Sequence, residues 1–223
     1  MNTVLSALAL RVLGCLIEKE LSTPDYYPLT LNSLKLACNQ KSNRDPVLNL
    51  DEGAVKSTLD EIITQHLGRQ RPEADSRVPK YAHRMEANFH FSKPELAILA
   101  ELFLRGPQSL NELRTRCTRM HVFADMAEVE QALAHLGDED FGPYVVTLPA
   151  TAGRREARFA HLFSGNVEGG ATPEFFPTTA RTDVADLVAL HEELTSLRRE
   201  VQDLRERVLL LESTTDREVD VKK

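Results

Sequence analysis

Thr30-Leu-Asn-Ser-Leu-Lys-Leu-Ala-Cys38 and Ser109-Leu-Asn-Glu-Leu-Arg-Thr-Arg-Cys117 are two versions of one segment. Leu31/Leu110, Asn32/Asn111, Leu34/Leu113 and Cys38/Cys117 are identical at a constant offset of 79. The correspondence continues outward in the same order. Lys80-Tyr-Ala-His83 matches Arg158-Phe-Ala-His161 at an offset of 78, and Val55, Leu59 and Ile62 match Val129, Leu133 and Leu136 at 74. Upstream, Ser6 and Ser92 each precede an apolar stretch, at an offset of 86. The offset drifts where loops absorb insertions, so the chain reads as two copies of a unit of about 80 residues, the pattern to seek before any other.

Each copy carries the same local signals. Ser6 is placed to cap a helix running to about Leu21, and Ser92 with Glu95 forms a capping box for its counterpart, which Gly106-Pro107 stops. Ser109 with Glu112 is a second capping box and opens a short helix. Asp51, and Asp125 with Glu128, cap a third helix whose apolar residues recur at helical spacing, with Leu50 and Val55 placed as a hydrophobic staple in copy one. Two β-rich stretches around a polar turn follow each third helix. In copy two they are Tyr144–Leu148 and Arg158–Phe163; in copy one the turn is Arg71–Arg77 and Val78–Arg84 is the returning strand. Three helices and a hairpin are the layout of a winged helix, a helix-turn-helix variant. The predicted fold is mostly α with a little β (α+β): two tandem winged-helix domains, residues 1–88 and 89–164, and a C-terminal coiled-coil helix.

Residues 165–183, with Gly-Gly, Pro and Thr, read as a linker. From 184 to 212 apolar residues alternate at spacings of three and four: Leu187, Leu190, Leu194, Leu197, Val201, Leu204, Val208 and Leu211. Leu fills every d position and Val two of the a positions, which favours a parallel dimer. The flanking pairs Glu193–Arg198, Glu200–Arg205 and Arg207–Glu212 are opposite in sign across such a dimer. A single amphipathic helix packed on the body is the alternative, but it requires neither the strict register nor the complementary flanks. Residues 213–223 read as a frayed end.

Composition narrows the function. Hydrophobic residues are 42% and charged residues 27% of 223, which suits one or two folded domains rather than a disordered chain. The formal net charge of −7 argues against whole-molecule attraction to nucleic acid or anionic membrane, so any such contact needs a local patch. Three Cys fit a reducing compartment. No basic residue precedes Arg11, which makes the apolar start a poor signal peptide, and no run of about 18 apolar residues suggests a membrane span. A cytoplasmic protein with no membrane association is expected.

Residues 1–84 carry a net charge of +1, residues 85–166 −3 and the remainder −5, so only copy one has the balance to present a positive face. Its candidates for contact with nucleic acid are Lys41, Asn43 and Arg44 in the loop before the third helix, Lys56 on that helix, and Arg69, Arg71, Arg77 and Lys80 around the wing. In copy two Arg114, Arg116, Arg119, Arg154, Arg155 and Arg158 are the corresponding cations. Ordinary solvated turns and ion pairs are the alternative for both sets. The outward faces of both third helices are not basic: Lys56, Ser57, Asp60, Glu61 and Thr64 in one, Glu130, Gln131, Ala134, His135 and Asp138 in the other. Most affinity for DNA comes from cations, so these are poor reader helices. The loop 39–50 exceeds its counterpart by five residues and reads either as a binding loop or as a set of side-chain-capped turns.

Catalysis finds little support. No phosphate-binding Gly-rich loop or Cys-x-x-Cys spacing occurs, and His191-Glu-Glu-Leu-Thr195 lacks the second His of a zinc-protease helix. The equivalent pairs His83/His161 and Cys38/Cys117 read as structural residues repeated by duplication, and Cys15 as core. No catalytic residue, cofactor or metal is expected.

Ala37-Cys-Asn-Gln-Lys-Ser-Asn-Arg-Asp-Pro-Val47, with Glu18-Lys-Glu-Leu-Ser-Thr-Pro-Asp-Tyr-Tyr-Pro28, Arg119-Met-His-Val-Phe-Ala-Asp-Met-Ala-Glu-Val-Glu130 and His161-Leu-Phe-Ser-Gly165, closely resembles the YceH family of bacterial proteins over about residues 4–166. The resemblance implies a tandem winged-helix fold and a bacterial cytosolic protein. It brings no catalytic residues. The functional expectation is a non-enzymatic homodimer that touches double-stranded DNA through copy one; the alternative is a protein–protein scaffold that binds no DNA.

Overall fold

A computed structural model describes residues 4–71, 78–148 and 156–165. The linker, the heptad segment and the tail lie outside the described residues, as does Arg77. Seven helices and two small antiparallel sheets make up the described part. Copy one contains α1 (Ala7–Ser22), β1 (Leu29–Thr30), α2 (Leu31–Cys38), α3 (Glu52–Thr64), β2 (Gly68–Arg71) and β3 (Lys80–His83). A short α4 (Met85–Phe89) leads into α5 (Lys93–Arg105), β4 (Gln108–Ser109), α6 (Leu110–Arg116), α7 (Met126–Leu136), β5 (Val145–Leu148) and β6 (Arg158–His161).

The repeat is visible in the strands. Sheet order is β1-β3-β2 in one copy and β4-β6-β5 in the other. The registers correspond: Gly68 faces His83 as Val145 faces His161, and Thr30 faces Lys80 as Ser109 faces Arg158. The two-residue strands β1 and β4 were not legible as strands, because each runs directly into the N-cap of the next helix.

Local chemistry sets the helix starts. The Ser6, Thr30, Asp51 and Asp125 side chains each accept a backbone N–H from the first turn that follows. Ser92–Glu95 and Ser109–Glu112 form reciprocal capping boxes. Glu128 departs from that pattern: its carboxylate accepts from the backbone N–H of Ala124 and contacts His121, rather than reaching back to Asp125. Gly106 ends α5 at φ 73°, a conformation that favours glycine.

One apolar core runs through both copies, and every described residue belongs to a single compact unit. Its centre is the packing of α1 on α5. Gly14 makes that approach possible, since a Cβ there would sit 3.0 Å from the Leu104 side chain and 3.1 Å from Cβ of Phe103. The start of copy one is also tied to the end of copy two, where the Leu5 N–H donates to the Phe163 carbonyl at 2.7 Å. Phe91, Tyr144 and Phe163 pack edge-on or stacked around this end of the core.

Candidate nucleic-acid interface

The basic loop of copy one has a different job from the one its composition suggests. Arg44, read from the sequence as a phosphate contact, has a fully buried side chain. Its guanidinium donates to both carboxylate oxygens of Glu18, at 3.2 and 2.6 Å, to the Ala37 and Asn43 carbonyls, and to Gln40 Oε1. A group so committed has no donor left for a phosphate. Asn43 is likewise engaged, its amide donating to Glu101 of α5 at 2.8 Å. Both side chains are thus committed within the protein, at odds with their reading as phosphate contacts, although Lys41, Ser42, Asp45, Pro46, Val47 and Asn49 of the same loop are exposed.

The neighbours of Arg44 explain the five extra residues. The Asp45 N–H donates to the Leu104 carbonyl at 2.9 Å, and Arg11 donates to the carbonyls of Cys38 and Pro46. Glu18 also accepts from Arg119, beyond the second short helix of copy two, at 3.0 Å. Asn39 closes the loop by pairing with both backbone groups of Leu50, at 2.8 Å each. Residues 39–50 thus form a clasp between the copies, with Asn39 serving the side-chain-capped turn that the sequence suggested.

Electrostatics follow from that geometry. Burial alone would raise the Glu18 pKa, but hydrogen bonds and charge from Arg44, with Lys19 and Arg119 behind, hold it below the usual carboxylate range. Glu101 shows the opposite balance. Burial raises it, and the Asn43 amide only partly offsets this. Arg11 and Glu18, seven residues and hence about two turns apart on the buried stripe of α1, were the available signal for this cluster, because a charge on a core-facing stripe requires a buried partner.

The remaining candidates sit elsewhere. Lys41 is exposed in the loop. Lys56 spends its charge locally, pairing with Asp60 one turn on at 2.5 Å. Arg69 and Arg71 are exposed on β2, at alternate positions and hence on one face. Arg71 lies directly opposite Lys80 on β3, and Arg69 opposite the buried Ala82. Three cations therefore share a face of the β2–β3 hairpin. Among the described residues neither Arg69 nor Arg71 forms an ion pair. Both lie near the Tyr27 hydroxyl, which accepts from the His83 N–H at 2.8 Å. Burial, then Glu20, raises the Tyr27 pKa well above its ordinary value, and the two arginines oppose that. His83 itself is buried and contacts Glu20, a structural placement.

Copy two lacks this arrangement. Register places Val146 and Leu148 where copy one has Arg69 and Arg71. Arg158, the counterpart of Lys80, is used internally: it donates to the Pro107 carbonyl and pairs with Glu112 at 2.8 Å. Arg116 also pairs with Glu112 and Arg119 with Glu18. Arg114 is exposed, while Arg154 and Arg155 lie outside the described residues.

Other reactive side chains are placed structurally. Cys15 and Cys38 are buried, and Cys117, also buried, donates to the Ala97 carbonyl. His161 packs edge-on against Phe103, and burial lowers its pKa to about 3. Ser92, Glu95 and His135 are in contact, but Glu95 lies between the other two and binds each, so the imidazole has no path to the Ser92 proton. Among the described residues no cluster of His, Cys, Asp and Glu could hold a metal, and no helix is long and apolar enough to cross a membrane.

Residues 5–154 match the family model described as "Protein of unknown function, DUF480". The chain belongs to the DUF480 family. The span takes in the clasp, the β2–β3 hairpin and α7. Relatives at high identity come from several bacteria. The UPF0502 protein GSU0233 of Geobacter sulfurreducens is 51% identical over 205 residues, covering 92% of this chain and 91% of the relative. A UPF0502 protein of Aeromonas hydrophila is 47% identical over 218 residues, covering 95% and 100%. The UPF0502 protein VS_II0353 of Vibrio atlanticus is 45% identical over 211 residues, covering 92% and 97%. The resemblance carried by the sequence motifs and these matches agree on a bacterial family of unknown function.

Proposed function

We propose that this DUF480 protein is a cytoplasmic, non-enzymatic, homodimeric regulator. In this reading its two copies are tandem winged-helix units, and copy one touches the backbone of duplex DNA through its wing, the β2–β3 hairpin. The observation that carries the reading is the placement of Arg69 and Arg71 on one exposed face, with Arg71 directly across the ladder from Lys80. Because α3 presents Glu52, Asp60 and Glu61 outward, contacts are expected with phosphates rather than base edges. The heptad segment would set two such wings side by side, as dimeric regulators of two-fold sites do.

The test compares Arg69→Ser/Arg71→Ser with Arg114→Ser in a mobility-shift titration of a random-sequence duplex. Loss of binding in the first variant alone supports the reading; equal behaviour of both overturns it. Deletion of residues 184–223 should give a monomer by light scattering, and a truncated chain that stays dimeric would remove the heptad segment from the account. A scaffold role without DNA contact is the second reading, favoured by the acidic outer face of α3.

A further inference from the structure

The duplicated unit supplies its own control for one surface. Between α7 and the β5–β6 hairpin lies a recess of about 350 Å³, walled by Leu133, Ala134, Gly137, Val145 and Phe159 with Glu130 at its rim. The corresponding positions of copy one carry different side chains, and Val145 itself stands where copy one has Gly68. Glu130 and Ala134 correspond to Lys56 and Asp60, whose ion pair spans the helix surface at 2.5 Å. Gly137 corresponds to Ile63, and the half-buried Phe159 to the buried Tyr81. Four replacements thus distinguish the wall of this recess, which Thr147 completes, from the same positions of copy one.

We propose that this groove is a docking site for a segment of another protein that presents an apolar side chain beside lysine or arginine. The apolar walls select the first. Charge selects the second: Glu130 stands at the rim, and the exposed Asp138, Glu139 and Asp140 follow Gly137 directly at the end of α7. The C-terminal end of a helix adds partial negative charge there. Among the described residues lining the groove there is no cation. DNA is excluded as the occupant by the same charges. The site is in copy two, so it stands independently of the wing in copy one.

The test uses the full chain and a fluorescein-labelled peptide of repeated Leu-Lys-Lys-Leu, with a Ser-Lys-Lys-Ser peptide as the charge-only control. Saturable binding of the leucine peptide, at least about tenfold tighter than the control (about 1.4 kcal/mol), is expected. Glu130→Lys/Ala134→Asp rebuilds the ion pair of copy one at two exposed positions, so folding should be unchanged by circular dichroism. It should weaken the leucine peptide at least about tenfold. The proposal is overturned if wild type does not bind the leucine peptide, if both peptides bind alike, or if the variant binds as wild type does.

Discussion

Replacing Glu18 with Gln asks whether the clasp between the copies holds the fold. Glu18 and Arg44 have side chains with no solvent exposure, and their two contacts are 3.2 and 2.6 Å. Removing one partner of a buried ion pair costs about 3–5 kcal/mol, because the other charge is left without compensation. Two features place this case at the lower end. Arg44 keeps its bonds to the Ala37 and Asn43 carbonyls, and Arg119 is half exposed and regains water. A loss of about 3 kcal/mol follows, which for a chain of this size lowers Tm by roughly 6–12 °C. Thermal unfolding followed by circular dichroism at pH 7 measures it. The pH dependence supplies a second check. The folded pKa of Glu18 is depressed, so its contribution is present above the unfolded value of about 4.3 and is lost as pH falls through the folded value. The gap between wild type and Glu18→Gln should therefore close below about pH 4. A Tm difference under about 2 °C at pH 7, or a gap that widens on acidification, would refute the reasoning.

Two other perturbations test separate parts of the fold. Gly14→Ala puts a Cβ 3.0 Å from the Leu104 side chain at the α1–α5 crossing; overpacking of this kind costs about 1–3 kcal/mol, read as a lower denaturant midpoint at unchanged m. His161 is neutral when folded, with a pKa lowered to about 3 by burial. The unfolded chain takes up that proton first, so wild type should lose stability as pH falls from about 6.5, and His161→Phe should flatten that part of the profile in urea titrations.

What could be read from the sequence was what is local. Ser6, Asp51, Ser92 with Glu95 and Ser109 with Glu112 cap helices by contacts three residues apart, so their spacing alone announces them. The strands β3, β5 and β6 were legible for the same reason, whereas β2 was given no bounds and Arg71, read as the start of the turn, is its last residue, paired with Lys80. Helix α4 was not, because five residues with Met85 and Phe89 at the ends carry too little periodicity. Arg44 illustrates the harder limit. In sequence it is one cation in a polar loop beside Lys41; its burial is decided by Glu18, 26 residues away, and by an α5 that belongs to the other copy. Arg69 and Arg71 escaped that fate because β2 is the outer strand of its sheet and alternation turns both to one exposed face. The groove on α7 needed alignment of the copies and their packing together, since neither Ala134 nor Gly137 is conspicuous alone.

The most direct test of the central claim is fluorescence anisotropy of a labelled random-sequence duplex, titrated with the full-length chain at several salt concentrations. The expected result is binding at low salt with a log–log salt slope that shrinks by roughly 0.9 for each of Arg69 and Arg71 replaced by serine. No binding even at low salt, or a slope indifferent to Arg69 and Arg71, would contradict it.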